Sequence, residues 1–172
     1  MLEGALTFCI MLSAAILHEF GHYLFIRLCG AKITRLDIEV LGALIVYANG
    51  STNLNADIAI AMGGILVNIT AAMVGIICFT FFYNIYLLIF IASNLALAFV
   101  NLLPVASLDG GRALNALLIK KYDIDIAERI SYKMSVFGKL ILISISGILV
   151  VLSGFNTAMI ILFLLNFVQI YN

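Results

Sequence analysis

Long apolar runs without charge constrain this chain more than any other feature. We read them as spans near Ala5–Leu28, Ile58–Phe82, Ile85–Leu103, Ser135–Leu152 and Phe155–Tyr171. Each is close to the ~20 residues an α-helix needs to cross the hydrocarbon core of a bilayer. The last two runs are continuous, and one helix from Ser135 to Tyr171 would be about 55 Å long against a ~30 Å core. The chain must therefore turn back, and Ser153-Gly154-Phe155-Asn156 is the natural place. Phe82-Tyr83-Asn84 serves the same purpose between the second and third spans. Composition excludes the alternative of a water-soluble globule. The 172 residues are 65% hydrophobic and 10% charged, and so few charges cannot cover a soluble surface. The expected fold class is an all-α polytopic membrane protein with about five transmembrane helices, organised as a single domain over residues 1–172.

Net charge is zero, but the charges are unevenly placed. All nine basic residues fall in two stretches: Arg27, Lys32 and Arg35, then Arg112, Lys120, Lys121, Arg129, Lys133 and Lys139. With five spans in the order above, both stretches lie on one side, and the positive-inside rule makes that side cytoplasmic. The amino terminus then faces outward. The first run lacks the basic n-region of a cleaved signal peptide and is long enough to span. The three cysteines, Cys9, Cys29 and Cys78, are far apart and without metal-ligand spacing, so they read as reduced packing residues in the membrane.

The first span carries the most informative residues. His18-Glu19-Phe20-Gly21-His22 is H-E-x-x-H in the middle of a lipid-length helix. Residues i and i+4 share a helix face, so both imidazoles can converge on one metal ion, with Glu19 beside it to move the proton of an attacking water. Three ionisable groups within five residues of a span are costly, about 2.5–3.5 kcal/mol each on insertion scales. A divalent cation is the partner that accounts for all three.

A zinc site of this kind takes a third protein ligand. Outside the first span the acidic candidates are Asp37, Glu39, Asp57, Asp109, Asp123, Asp125 and Glu128, and only Asp109 has an unusual setting. It lies in Asn101-Leu102-Leu103-Pro104-Val105-Ala106-Ser107-Leu108-Asp109-Gly110-Gly111-Arg112, where an apolar segment is broken by the single proline and followed by two glycines. Broken helix at membrane depth is tolerated only where it is buried in protein or lines a cavity. Local sequence leaves two readings open: a buried, site-forming element, or a span end followed by an ordinary cytoplasmic turn.

These two motifs, in this order and in membrane spans, resemble the site-2 protease family of intramembrane zinc metalloproteases. The resemblance covers roughly residues 10–115 and is nearest to the family's small bacterial, sporulation-associated branch. It implies a three-helix catalytic core within about 5–112, with the additional helices at about 113–172. It also implies one Zn2+ per chain held by His18, His22 and Asp109, with Glu19 as the catalytic acid and base. The family's Gly-Pro-x-x-Asn becomes Gly63-Gly64-Ile65-Leu66-Val67-Asn68 here, a departure at the proline that leaves Asn68 as the match. Asn68 and Asn101 are candidates for hydrogen bonding the substrate or the tetrahedral oxyanion, or for tying helices together. The implied activity is hydrolysis of a peptide bond in a membrane-associated protein near the cytoplasmic side. By analogy, the released portion is a transcription factor such as a sporulation sigma-factor precursor. The expected location is the bacterial inner membrane, and the sporulation analogy extends this to forespore association. The bilayer and the substrate are the expected partners. Regulatory membrane proteins or a second copy of the chain are compatible additions, whereas nucleic acid is not expected. The competing function class is a small metal-ion transporter using the same His, Glu and Asp as a cation path. The absence of repeated or inverted span motifs counts against it.

Two further segments complete the sequence reading. Ile33–Val40 alternates polar and apolar residues, and Ala43–Tyr47 follows after Leu41-Gly42, which predicts a short membrane-associated β-hairpin. A free strand edge there could hold an extended substrate. Ala113–Tyr122 reads as helical, and Asp125-Ile126-Ala127-Glu128 has the spacing of a capping box opening the helix into the fourth span.

Overall fold

The structure is a computed structural model that describes residues 2–39, 42–48 and 53–157. Among these residues it has five helices and two strands: α1 (Leu2–Leu28), β1 (Lys32–Glu39), β2 (Gly42–Ala48), α2 (Leu54–Phe81), α3 (Ile85–Leu102), α4 (Asp109–Lys121) and α5 (Ile124–Leu152). Four of the helices, α1, α2, α3 and α5, are long and apolar enough to cross a membrane. The chain is an integral membrane protein. Most of the fifth expected span, Phe155–Tyr171, lies outside the described residues.

Two compact units divide the chain, Met1–Leu102 and Leu103–Asn172. In the first, α1 packs on both α2 and α3, and α2 packs on α3. The buried positions follow helical periodicity. On α1 they are Ala14, His18, Gly21, His22 and Ile26; on α2, Ala56, Ile60, Ala61, Gly63, Gly64, Ile65, Asn68, Ala72 and Gly75; on α3, Ile91, Asn94 and Ala98. Most are small. Lipid tails are as apolar as leucine, so helices in a bilayer associate through close packing rather than hydrophobic exclusion, and small residues let their backbones approach. The large apolar side chains point outward instead: Phe8 is 65% exposed, Ile16 60% and Ile77 60%. Facing lipid, they are at no disadvantage.

Local chemistry sets the helix boundaries. Asn53 caps α2, its side-chain oxygen accepting from the backbone N–H groups of Asn55 and Ala56. Asn84 does the same for Tyr86 at the start of α3, at 2.8 Å. At the end of α1 the N–H of Ala31 donates to the carbonyl of Ile26, while Gly30 takes a φ of +71°. This is the six-to-one closure for which a left-handed glycine is suited. The strands that follow pair antiparallel, from Lys32 opposite Ala48 to Glu39 opposite Gly42, with an irregularity between Ile33 and Arg35.

In the second unit, Leu103–Leu108 forms a tight segment ahead of α4, and α4 packs on α5. Gly138 lets α5 approach closely, since a Cβ there would stand 2.8 Å from Val105 Cγ2. The buried Ser135 hydroxyl accepts from the backbone N–H of Ala106 at 3.0 Å. One sequence expectation is corrected here. The capping box at Asp125–Glu128 does not form, because α5 starts two residues earlier than that box requires, at Ile124, with Asp123 at the cap and no side-chain hydrogen bond. The helix then runs on into the fourth span as expected, over Ile124–Leu152, and its first half carries most of its charges. Helix α5 ends where the turn was expected. Gly154 has a φ of +65°, and the N–H of Phe155 closes onto the carbonyl of Val150.

Candidate metal centre

The H-E-x-x-H segment lies inside α1 as unbroken helix. His18 and His22 are both buried, at 6% and 8% exposure, and Glu19 is half-buried beside them. One helical turn stacks the two imidazoles edge to face, with centroids 4.8 Å apart and planes at 84°. Their Nε2 atoms approach to 3.2 Å. The Nδ1 of His22 lies 2.8 Å from the backbone carbonyl of Ile60 on α2. A carbonyl can only accept, so Nδ1 carries the proton and the Nε2 of neutral His22 keeps a lone pair. That is the arrangement of a metal-ligating histidine, whose second nitrogen is held by an outer hydrogen bond.

The spacing can be tested against a metal. Two nitrogens at the usual 2.0–2.1 Å from a tetrahedral zinc stand about 3.3 Å apart. The observed 3.2 Å fits without a change of rotamer. Two neutral imidazole nitrogens at this separation fit zinc among the divalent metals, which favours such ligands in tetrahedral sites.

Glycines make room for this pair. A Cβ on Gly64 of α2 would stand 2.7 Å from His18 Cε1, 2.7 Å from His22 Nε2 and 2.8 Å from His18 Nε2. Next to it, Gly21 and Gly63 bring the two backbones together, and a Cβ on Gly21 would meet the Gly63 carbonyl oxygen at 2.5 Å. Thus the backbone of α2 forms one wall against both imidazoles. Sequence reasoning noted Gly63-Gly64 only as the start of a motif ending at Asn68 and missed this role. The signal was present, in a glycine inside H-E-x-x-H and a glycine pair in the next span.

The two asparagines have different settings. Asn68 is fully buried and donates to the carbonyl of Ala14 on α1, one turn before His18, at 3.4 Å. Asn101 is half-buried and donates to Leu97 of its own helix at 3.0 Å.

Asp109 belongs to the second unit, where it opens α4 and is buried at 7% exposure. A carboxylate in the first turn faces the positive end of the helix dipole. Arg112, one turn later, stands 3.8 Å from its Oδ1. The second glycine after Asp109 is a packing requirement, since a Cβ on Gly111 would collide with the Val105 carbonyl. Thus Asp109 does not sit in an open, solvated turn. The three cysteines are free thiols, but Cys9 and Cys29 are exposed on the outside of the fold rather than packed within it.

The histidine pair has the character of a metal-ligating site inside a membrane-length helix. Residues 80–145 match the model of peptidase family M50, a stretch that includes Asp109 and not the histidine pair. Over 164 residues the chain is 30% identical to a zinc metalloprotease of Methanocaldococcus jannaschii, covering 88% of this chain and 47% of that protein. It therefore spans about half the length of that curated relative. Among solved structures it is similar to the site-2 protease from the same organism, with a TM-score of 0.65 and 28% identity, covering 97% of this chain and 75% of the other. The resemblance to the site-2 proteases holds in sequence and in fold.

Proposed function

We propose that this chain is an intramembrane zinc endopeptidase that cuts a membrane-associated protein. The observation that carries the proposal is the His18–His22 pair, with Nε2 atoms 3.2 Å apart in a membrane-length helix, in a chain similar to known zinc metalloproteases. His18, His22 and Asp109 are the proposed ligands of one Zn2+ per chain. A buried carboxylate supplies the third ligand that a hydrolytic zinc site requires and balances part of the charge. Zinc, when bound, supplies a Lewis acid that acidifies water and polarises the scissile carbonyl.

The chain's own residues do the rest. Glu19 is adjacent in sequence to a ligand and half-buried. It takes a proton from the attacking water and delivers it to the leaving amine. No side-chain nucleophile is needed, so no covalent acyl intermediate accumulates. Asn101 uses one amide hydrogen on Leu97, and its second is the better candidate to hold the substrate carbonyl. Asn68, with no exposed surface, ties α1 to α2 instead.

The antiparallel strands Lys32–Glu39 and Gly42–Ala48 offer backbone groups to a substrate strand at the membrane surface. A helical substrate hides its carbonyls in its own hydrogen bonds, and pairing with a strand edge exposes them. The charge distribution supports an outward amino terminus and cutting near the cytoplasmic face. Release of a transcription factor, a sporulation sigma-factor precursor in particular, is supported only by the resemblance of the motifs at 18–22 and 101–112. Similarity to metalloproteases favours hydrolysis over cation transport.

The test is Glu19→Gln in purified, zinc-loaded protein reconstituted with a membrane-tethered substrate. Zinc content is expected to stay near one per chain while cleavage is lost. Wild-type cleavage by the variant removes Glu19 from the mechanism. Zinc flux into vesicles with no cleavage of any substrate favours transport.

A further inference from the structure

The second unit contains a cavity of about 560 Å³ that the proposed peptidase chemistry does not use. It lies between the start of α4 and the first half of α5, and its lining changes character along α5. Glu128 stands at one end, Ser131, Tyr132 and Ser135 follow at helical spacing, and Val136, Lys139 and Leu140 close the other end. Helix α4 contributes Arg112 and Asn115.

Lys139 is the last ionisable residue of α5, and Leu140–Leu152 carries none. The boundary between headgroup and hydrocarbon on this helix therefore falls at the cavity's Lys139 end. There the outward residues are apolar, with Phe137 57% exposed and Leu140 54%. Tyr132, 72% exposed, sits two turns higher, at the level where tyrosines favour membrane interfaces. A cavity with hydroxyls toward one end, a cation at the lipid boundary and the aliphatic side chains of Val136 and Leu140 beside it suits a molecule polar at one end and apolar at the other.

We propose that this cavity binds one anionic phospholipid, its phosphate held by Arg112 and Lys139, and its acyl chains lying along Val136 and Leu140. Arg112 keeps one edge toward Asp109 at 3.8 Å, and a guanidinium has five N–H donors, enough to serve two acceptors. Glu128 stands three turns from Lys139, about 16 Å along the axis, at the opposite end of the cavity. Basic pockets between membrane helices bind acidic headgroups by the same chemistry.

The experiment is native mass spectrometry of the purified full chain in neutral detergent, titrated with phosphatidylglycerol, phosphatidylcholine or glycerol 3-phosphate. Phosphatidylglycerol is expected to saturate at one per chain and to bind about tenfold more tightly than phosphatidylcholine. Lys139→Gln is expected to weaken it about tenfold and Lys139→Arg to restore it, while Lys120→Gln, outside the cavity, leaves it unchanged. Equal binding by wild type and Lys139→Gln overturns the assignment. Displacement of the lipid by an equal concentration of glycerol 3-phosphate also overturns it, because the occupant would then be a free phosphate. Arg112 is left intact because its ion pair with Asp109 would confound the reading.

Discussion

Gly64→Ala tests whether the close approach of α2 sets the histidine pair. The new methyl group would stand 2.7 Å from both His18 Cε1 and His22 Nε2, about 0.7 Å short of ordinary van der Waals contact. Three responses are open to the protein. The helices could separate, but Gly21 and Gly63 hold the backbones at a distance where a Cβ would stand 2.5 Å from a carbonyl oxygen, so separation loses packing along the whole crossing. His22 could rotate away, but its Nδ1 would then leave the Ile60 carbonyl 2.8 Å away. His18 could move instead, at the expense of the 3.2 Å spacing between the Nε2 atoms.

Overpacking of this kind costs about 1–3 kcal/mol. Displacing a positioned group by about 1 Å lowers rate by roughly 100-fold. The expected result is a folded, less stable protein whose zinc affinity falls 10-fold or more and whose cleavage falls about 100-fold. Zinc affinity is read by competition with a chelator of known strength, and stability by thermal unfolding in the same detergent. Gly75→Ala is the matched control, because its Cβ would meet side chains of α3 away from the histidines, Ile91 at 2.8 Å and Phe90 at 3.4 Å. It should lower the unfolding midpoint and leave zinc affinity unchanged. Wild-type zinc affinity in Gly64→Ala would refute the reasoning, as would equal zinc loss in both variants.

Three further outcomes are expected. Asp109→Ala should weaken zinc binding by 100-fold or more in the chelator competition while α1 keeps its histidine pair, and full occupancy would remove Asp109 from the ligand set. Gly111→Ala places a methyl group on the Val105 carbonyl, so the start of α4 should be displaced, seen as faster protease nicking near residue 105 and loss of zinc. Asn94→Leu is expected to leave thermal stability unchanged or raise it. Asn94 is fully buried, its amide bonds only to Phe90 of its own helix, and its Oδ1 has no hydrogen-bond partner among the described residues, so replacing it with an apolar residue of similar volume removes a desolvated polar atom. A drop of several degrees would show that this oxygen holds something.

Much of the fold was legible because the bilayer simplifies the reading. A run such as Ile58–Phe82 has one stable solution in lipid, a helix, since every backbone group must be satisfied within the segment. The turn at Gly154 was legible for the same reason, since no helix from Ser135 could continue to Tyr171 inside one membrane. The start of α5 was misplaced by two residues, because Asp125 and Glu128 have the spacing of a capping box while the cap falls at Asp123. Hydrophobic patterning said little about which helix faces meet. Inside and outside are both apolar, so the face toward a neighbour is marked by small residues rather than greasy ones.

The candidate centre illustrates that point. H-E-x-x-H announces itself by chemistry, because costly groups in a span demand a partner. The residues that aim it are glycines and a backbone carbonyl, and they carry no chemical signature. Gly64 acts by having no side chain, and Ile60 through an atom every residue has. The carbonyl fixes which nitrogen of His22 holds the proton, and the glycine fixes how near the second helix can come. A metal site in a membrane helix is therefore specified twice, by the ligands a sequence displays and by the empty space a neighbouring helix must leave for them. A variant that keeps every ligand but fills that space separates the two specifications, and Gly64→Ala does so with a single methyl group.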